Sequence, residues 1–182
     1  MDKTTNEVLV ELEKTAHDFW NISRQTANFL SILIKSTNTK NVLEIGTSNG
    51  YSGIWLAKAL KVTGGRLITV EFWDKRLCVA QENFKKCGVD DIITTKLGSA
   101  CDILPTLDEK FDLVFIDANK SEYIKYFDII HPKLSKGGLI AADNVTSHAE
   151  KVQPFVEKIS SHPEYQTQIL DLPAGLLLAL KL

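Results

Sequence analysis

The residues best placed for chemistry stand where apolar runs end. Asn41-Val42-Leu43-Glu44-Ile45 runs into Gly46-Thr47-Ser48-Asn49-Gly50, and Tyr51-Ser52 opens a helical stretch. In an open parallel sheet the first strand-to-helix turn is where a nucleotide-like ligand sits. This turn has two glycines rather than the three that close on a pyrophosphate. The next apolar run, Arg66 to Val70, ends in Glu71, 25 positions after Gly46. A carboxylate there can accept hydrogen bonds from both hydroxyls of a ribose. A glycine turn without phosphate spacing, joined to a ribose acid, points to a nucleoside without phosphates. S-adenosylmethionine is the common cofactor of that kind.

Further strand ends carry oxygen. A third run leads to Gly98-Ser99-Ala100, a fourth ends at Asp117, and a fifth ends at Asp143-Asn144. If the last two strands are neighbours, Asp117, Asp143 and Asn144 converge. All three offer hard oxygen donors, which suit Mg²⁺ first, with Mn²⁺ or Ca²⁺ as alternatives. Each acid also has a plainer reading as a turn former or helix cap. Glu44 lies inside an apolar strand and needs a partner, since an unpaired buried carboxylate is costly. The cofactor's ammonium, a backbone amide or a structural pairing would serve. Lys120, three residues past Asp117, could take a proton from a metal-bound hydroxyl, or could be an ordinary solvated lysine.

These positions need a scaffold. Hydrophobic spacing predicts helices over 5–19 and 23–35. Strands at 41–46, 66–71, 91–96, 111–117 and 137–143 then alternate with helices at 52–61, 74–87, 121–134 and 148–161, with a short helix near 101–107. Asp74 reads as an N-cap and Gly88 as a C′ residue. Gly137-Gly138 reads as the turn into the fifth strand. Such alternation implies a parallel sheet with helices on both faces. Tyr165–Leu172 and Gly175–Leu182 are strand-like runs joined by Pro173-Ala174 alone, too few residues for a crossover, so they pair antiparallel. The expectation is one α/β domain over 1–182 with a Rossmann-like, seven-stranded, mostly parallel sheet and a C-terminal antiparallel hairpin. Residues 1–40 would cover the cofactor and acceptor side.

Composition excludes other classes. A net charge of −2 leaves no basic footprint for nucleic acid. Cys78, Cys87 and Cys101 show no disulfide or zinc spacing. No apolar run reaches membrane-span length. Met1 to Asn6 is polar without a signal-peptide core, so the cytoplasm is the expected compartment.

Three segments, VLEIGTSNGYS (42–52), FDLVFIDANKSEY (111–123) and GGLIAADNV (137–145), together resemble the cation-dependent O-methyltransferases of the catechol and caffeoyl-CoA type. The resemblance covers roughly residues 22–182, with ISRQTANFL (22–30) matching the helix before the first strand. It implies S-adenosylmethionine-dependent methyl transfer to a small catechol-like or hydroxycinnamoyl-type acceptor. It assigns Asp117, Asp143 and Asn144 to the cation. It gives Glu71 to the ribose and lines the cofactor pocket with Glu44, Gly46, Thr47, Ser52, Ser99, Ala100 and Asp117. Lys120 matches the general base of catechol-type members. The chain departs from that family where larger members insert a loop after Asn144, which implies an open acceptor side or one completed by a second copy in a homodimer. Ala174-Gly175 also replaces an acid followed by glycine. A metal-independent methyltransferase of another small molecule and a non-catalytic cofactor-binding module are the alternatives. A nicotinamide oxidoreductase is disfavoured by the missing glycine triplet.

Overall fold

The computed structural model describes residues 1–182. In chain order it contains α1 (Lys3–Lys14), α2 (Ala16–Phe19), α3 (Arg24–Ser36), β1 (Asn41–Ile45), α4 (Tyr51–Thr63), β2 (Arg66–Glu71), α5 (Asp74–Lys86), β3 (Ile93–Leu97), α6 (Ala100–Ile103), β4 (Phe111–Ile116), α7 (Tyr123–Ile130), β5 (Leu134–Ala142), α8 (Ala149–Ser160), β6 (Tyr165–Leu170) and β7 (Leu176–Lys181). The strands form one sheet in the order β3-β2-β1-β4-β5-β7-β6. The pairs among β3, β2, β1, β4 and β5 are parallel. β7 runs antiparallel to both β5 and β6. The order reverses between β1 and β4, which sets a topological switch point, and its crevice, at their carboxyl ends.

Both faces of the sheet are covered. Val42, Leu67, Leu113, Phe115 and Ala141 meet α1, α3, α4 and α5 in a cluster of 23 buried residues. Leu43, Val70, Val114, Ile116 and Ala142 meet α6, α7 and α8 in a second cluster of 23. Equal burial explains why β1 and β4 read as almost unbroken apolar runs rather than alternating ones.

Four local expectations are corrected. The helix expected over 5–19 breaks at Thr15, because the Leu12 carbonyl accepts from Asn21 Nδ2 (3.1 Å) and Thr15 Oγ1 (3.4 Å). Asp74 is the first residue of α5 rather than its cap; Trp73 holds the cap position. The acid still faces the positive end of the helix dipole. The segment 121–134 is not one helix: α7 stops at Ile130, and a 3₁₀ turn over His131–Lys133 follows, since Pro132 lacks the N–H to continue it. β5 begins at Leu134 rather than 137, with a register shift opposite Phe111–Leu113. Gly137, at φ +78°, therefore sits in an irregular strand and not in a turn. Gly88 takes the expected left-handed position after α5, with φ +60°.

Candidate active site

The turn after β1 is shaped by close approach. Gly46 has φ +104°, and a Cβ there would run into the Asp117 carbonyl. Gly50 has φ +86°, and a Cβ would lie 2.7 Å from the Phe84 ring. Both positions therefore require glycine. The sheet's hydrogen bonding continues past the strand ends. Gly46 N donates to Val70 O (3.0 Å), Asp117 N to Ile45 O (2.9 Å), Asp143 N to Ile116 O (3.0 Å) and Gly98 N to Glu71 O (2.8 Å). These bonds hold the ends of all five parallel strands along one rim.

A cavity of about 520 Å³ opens at that rim. Gly46, Thr47, Ser52, Glu71, Ser99, Ala100, Asp117 and Lys120 all line it. Glu71 is held by both oxygens: Ser48 N donates to Oε2 (2.8 Å) and Trp73 N to Oε1 (3.0 Å). The carboxylate is thereby fixed with lone pairs to spare. Ser48 itself sits at φ +49°, and its hydroxyl donates to Phe19 O at 2.7 Å, tying the turn to the end of α2.

Glu44 lies behind the wall rather than on it and is fully buried. Thr69 Oγ1 donates to its Oε2 at 2.6 Å, and Thr69 and Thr47 share a 2.5 Å hydroxyl contact. Glu44 Oε1 has no protein partner. Burial pushes this carboxyl up to about 7, against the hydroxyls of Ser52 and Thr69, which lower it.

The second acidic pair lies at the ends of β4 and β5. Ile116 pairs with Ala142 in register. The next residues, Asp117 and Asp143, therefore stand on adjacent strands, about 5 Å apart along the backbone, with side chains on one side of the sheet. Asp117 Oδ1 accepts from Lys120 Nζ at 2.7 Å. Asp143 is 3 % exposed, and its Oδ1 is buried without a partner. Burial, then the neighbouring Asp117 charge, pushes Asp143 up to about 7. Tyr123 Oη reaches the Ile116 and Asp143 carbonyls, at 3.3 Å each, and braces the two strands. Asn144 follows at φ +67°, its amide nitrogen donating to Ser147 Oγ at 3.4 Å. The hairpin tip fixes the backbone beyond it, since Val145 N bonds Gly175 O and Thr146 N bonds Ala174 O. Neither Asp143 nor Asn144 lines the cavity; both sit beside the part of its wall made by Asp117.

Sequence reasoning expected residues 1–40 to cover this side but named none of the side chains that do so. Phe19, Trp20, Asn21 and Ile22 close the cavity from the α2–α3 connection, with Phe72, Trp73 and Arg76 opposite. The Arg76 guanidinium lies 4.3 Å from the Trp20 ring centroid and 4.7 Å from that of Trp73, within cation–π range. Trp20 is 68 % exposed and held at φ 56°. The readable signal was three large aromatics, Trp20, Phe72 and Trp73, at element ends where polar turn residues are usual.

The sequence profile of the O-methyltransferases matches residues 2–181. The chain belongs to the O-methyltransferase family. Among its relatives is the catechol O-methyltransferase of Niastella koreensis, 43% identical over 128 residues, an alignment covering 68% of this chain and 58% of that protein. The caffeoyl-CoA O-methyltransferase of Medicago sativa is 34% identical over 160 residues, covering 82% of this chain and 64% of that protein. The chain thus spans less than two thirds of the length of these curated relatives. The crystal structure of the Bacillus cereus O-methyltransferase in complex with SAH superposes with a TM-score of 0.88 at 28% identity, covering all of this chain and 92% of that one. The sheet order, the terminal hairpin and the crevice at the switch point described above are thus those of an O-methyltransferase.

Proposed function

We propose that this chain transfers a methyl group from S-adenosylmethionine to a hydroxyl of a small catechol-like or hydroxycinnamoyl-type acceptor, with a divalent cation at Asp117, Asp143 and Asn144. The observation that carries the reading is the buried, unpartnered Asp143 Oδ1 beside Asp117 at the cavity rim. An orphaned buried carboxylate oxygen is rare in a protein interior, and an all-oxygen donor set suits Mg²⁺, Mn²⁺ or Ca²⁺. The names of the relatives support the acceptor class, and the SAH complex of the Bacillus cereus enzyme supports the cofactor.

When bound, the cofactor supplies an electrophilic methyl on its sulfonium, and the cation supplies a Lewis acid that lowers the hydroxyl pKa of the acceptor. The chain's own residues do the rest. Glu71, immobilised by two backbone N–H groups, accepts from the ribose hydroxyls. The N–H of Ser52, in the first turn of the 13-residue α4, is one of the helix's free donors. It receives the cofactor's carboxylate, as helix N-termini receive anions. Glu44 stands behind this turn and, through the Thr69 hydroxyl that also meets Thr47, braces its shape. Ser99 and Ala100 close the base side, and Trp20 with Ile22 covers the opening. Lys120, oriented by Asp117, is the group placed to take the hydroxyl proton. Holding acceptor and methyl in line removes much of the entropic barrier, worth on the order of 7 kcal/mol or more for well-oriented groups.

The test is transfer of a labelled methyl from S-adenosylmethionine to a panel of catechols and hydroxycinnamoyl esters, in Mg²⁺ and in EDTA. The reading expects turnover that needs the cation and falls by about a hundredfold or more in Asp143→Ala. Equal rates in EDTA would remove the cation from the proposal, and silence with every acceptor would remove the reaction.

A further inference from the structure

A second group of ligating side chains lies at the opposite edge of the sheet, independent of the cavity. His131 follows α7, while His162 and Glu164 lie in the connection from α8 to β6. One ligating atom from each of the three falls within 4.8 Å of the others. His131 Nε2 stands 4.0 Å from Glu164 Oε1, and the two imidazole rings are 4.8 Å apart between centroids. β5 separates this cluster from Asp143: His131 precedes the strand and Asp143 follows it. The paired stretch of β4, from Phe111 opposite Leu134 to Ile116 opposite Ala142, sets the two strand ends roughly 17 Å apart.

We propose that His131, His162 and Glu164 form a binding site for a borderline transition-metal ion, Zn²⁺ or Co²⁺, that clamps the edge hairpin to the body of the fold. The donor set is two imidazoles and a carboxylate with one position left for water, a combination that Zn²⁺ accepts and that Mg²⁺ does not favour. The orientation of His131 is already set. Its Nδ1 lies 3.0 Å from Tyr165 Oη. With the proton on Nδ1 donated to that oxygen, Nε2 is left free to ligate, the arrangement in which metal-bound histidines are commonly held. His131 is braced on its other side, because Lys181 Nζ donates to its carbonyl at 2.8 Å. Tetrahedral ligands with bonds of about 2.0–2.1 Å stand about 3.4 Å apart, so the observed group must contract by about an ångström. The half-exposed Glu164 side chain can do this by a rotamer change. His162 Nδ1 accepts from Glu164 N at 3.2 Å; a metal on that nitrogen releases an exposed amide to water. Two connections that meet only through side chains would then be joined covalently in effect, and β6 is an edge strand whose stability such a clamp controls.

The experiment titrates Co²⁺ and then Zn²⁺ into the full chain in excess Mg²⁺, reading visible Co²⁺ absorption, stoichiometry and melting temperature. His162→Ala, Glu164→Gln and Asp143→Asn are run beside the wild type. The site predicts one equivalent bound and a raised melting temperature. Affinity falls at least about tenfold in His162→Ala and Glu164→Gln and is unchanged in Asp143→Asn. Without metal, Glu164→Gln, at an exposed position, should melt like the wild type and is the safeguard on folding. Binding that survives both His162→Ala and Glu164→Gln, binding lost in Asp143→Asn, or no binding at all would overturn the proposal.

Discussion

At the edge of the sheet where β1 and β4 begin, polar groups find partners within the chain. Asp112 Oδ2 accepts from Lys40 N (3.0 Å) and Asn41 N (2.9 Å). Thr63 Oγ1 donates to Thr39 O at 2.7 Å, and Lys110 Nζ to Pro132 O at 2.6 Å. At the edge where the same strands end, Glu44 Oε1, Asn49 Nδ2 and Asp143 Oδ1 are buried and unpaired. The strands, their composition and their burial are shared by both edges. What differs is whether the polar atoms are satisfied. Folding is cooperative, so the unpaired edge is tolerated because the paired edge and the two apolar clusters hold it in place. The difference therefore separates what stabilises the molecule from what it keeps for a ligand.

Substitutions can break this comparison. The largest effect on cofactor affinity is expected at Glu71. Glu71→Ala removes two charge-assisted acceptors and should weaken S-adenosylmethionine binding about 10- to 100-fold by calorimetry, while Glu71→Gln should fall between it and the wild type. A smaller effect, of opposite sign to the usual mutation, is expected at Asp143. Its folded-state pKa is raised to about 7 from an ordinary value of 3.8. Between those values the folded chain holds a proton that the unfolded chain has released. Stability from this group is thus complete below about pH 4 and is lost as pH rises to about 7. Asp143→Asn should melt like the wild type at the acid end, and above pH 7, without added cation, it should be the more stable of the two. A wild type and variant that differ by the same amount at every pH would contradict the assigned burial cost. The smallest effect belongs to the paired edge. Asp112→Ala should cost about 1 kcal/mol of stability, since the freed N–H groups reach water, and should leave methyl transfer unchanged.

The strand-end positions of the candidate residues are legible in the sequence. Gly46 and Gly50 are legible because only glycine turns a buried strand sharply into a helix. Glu71, Asp117 and Asp143 are legible because alternation of strand and helix fixes which ends of the strands face the crevice. Local pattern does not specify long-range contact, and that is where reading failed. Nothing near Trp20 in sequence announces Arg76, which meets it only after α5 packs beside β2. Glu44's need for a partner is legible, but not that Thr69, 25 residues on, supplies it to one oxygen. The start of β5 was hidden because a glycine pair reads as a turn, whereas here it relieves an irregular pairing with β4. The histidine and glutamate group escaped notice for the same reason: His131 and His162 are 31 positions apart and meet only because β5, β6 and β7 lie side by side.

The central claim is that Asp117, Asp143 and Asn144 act as one receptor for a hard cation. Calorimetric titration of Mg²⁺ into the chain loaded with S-adenosylmethionine tests it most directly. One binding site, lost in both Asp117→Asn and Asp143→Ala while the cofactor still binds, is the predicted result. Mg²⁺ binding of undiminished strength in Asp143→Ala would contradict it.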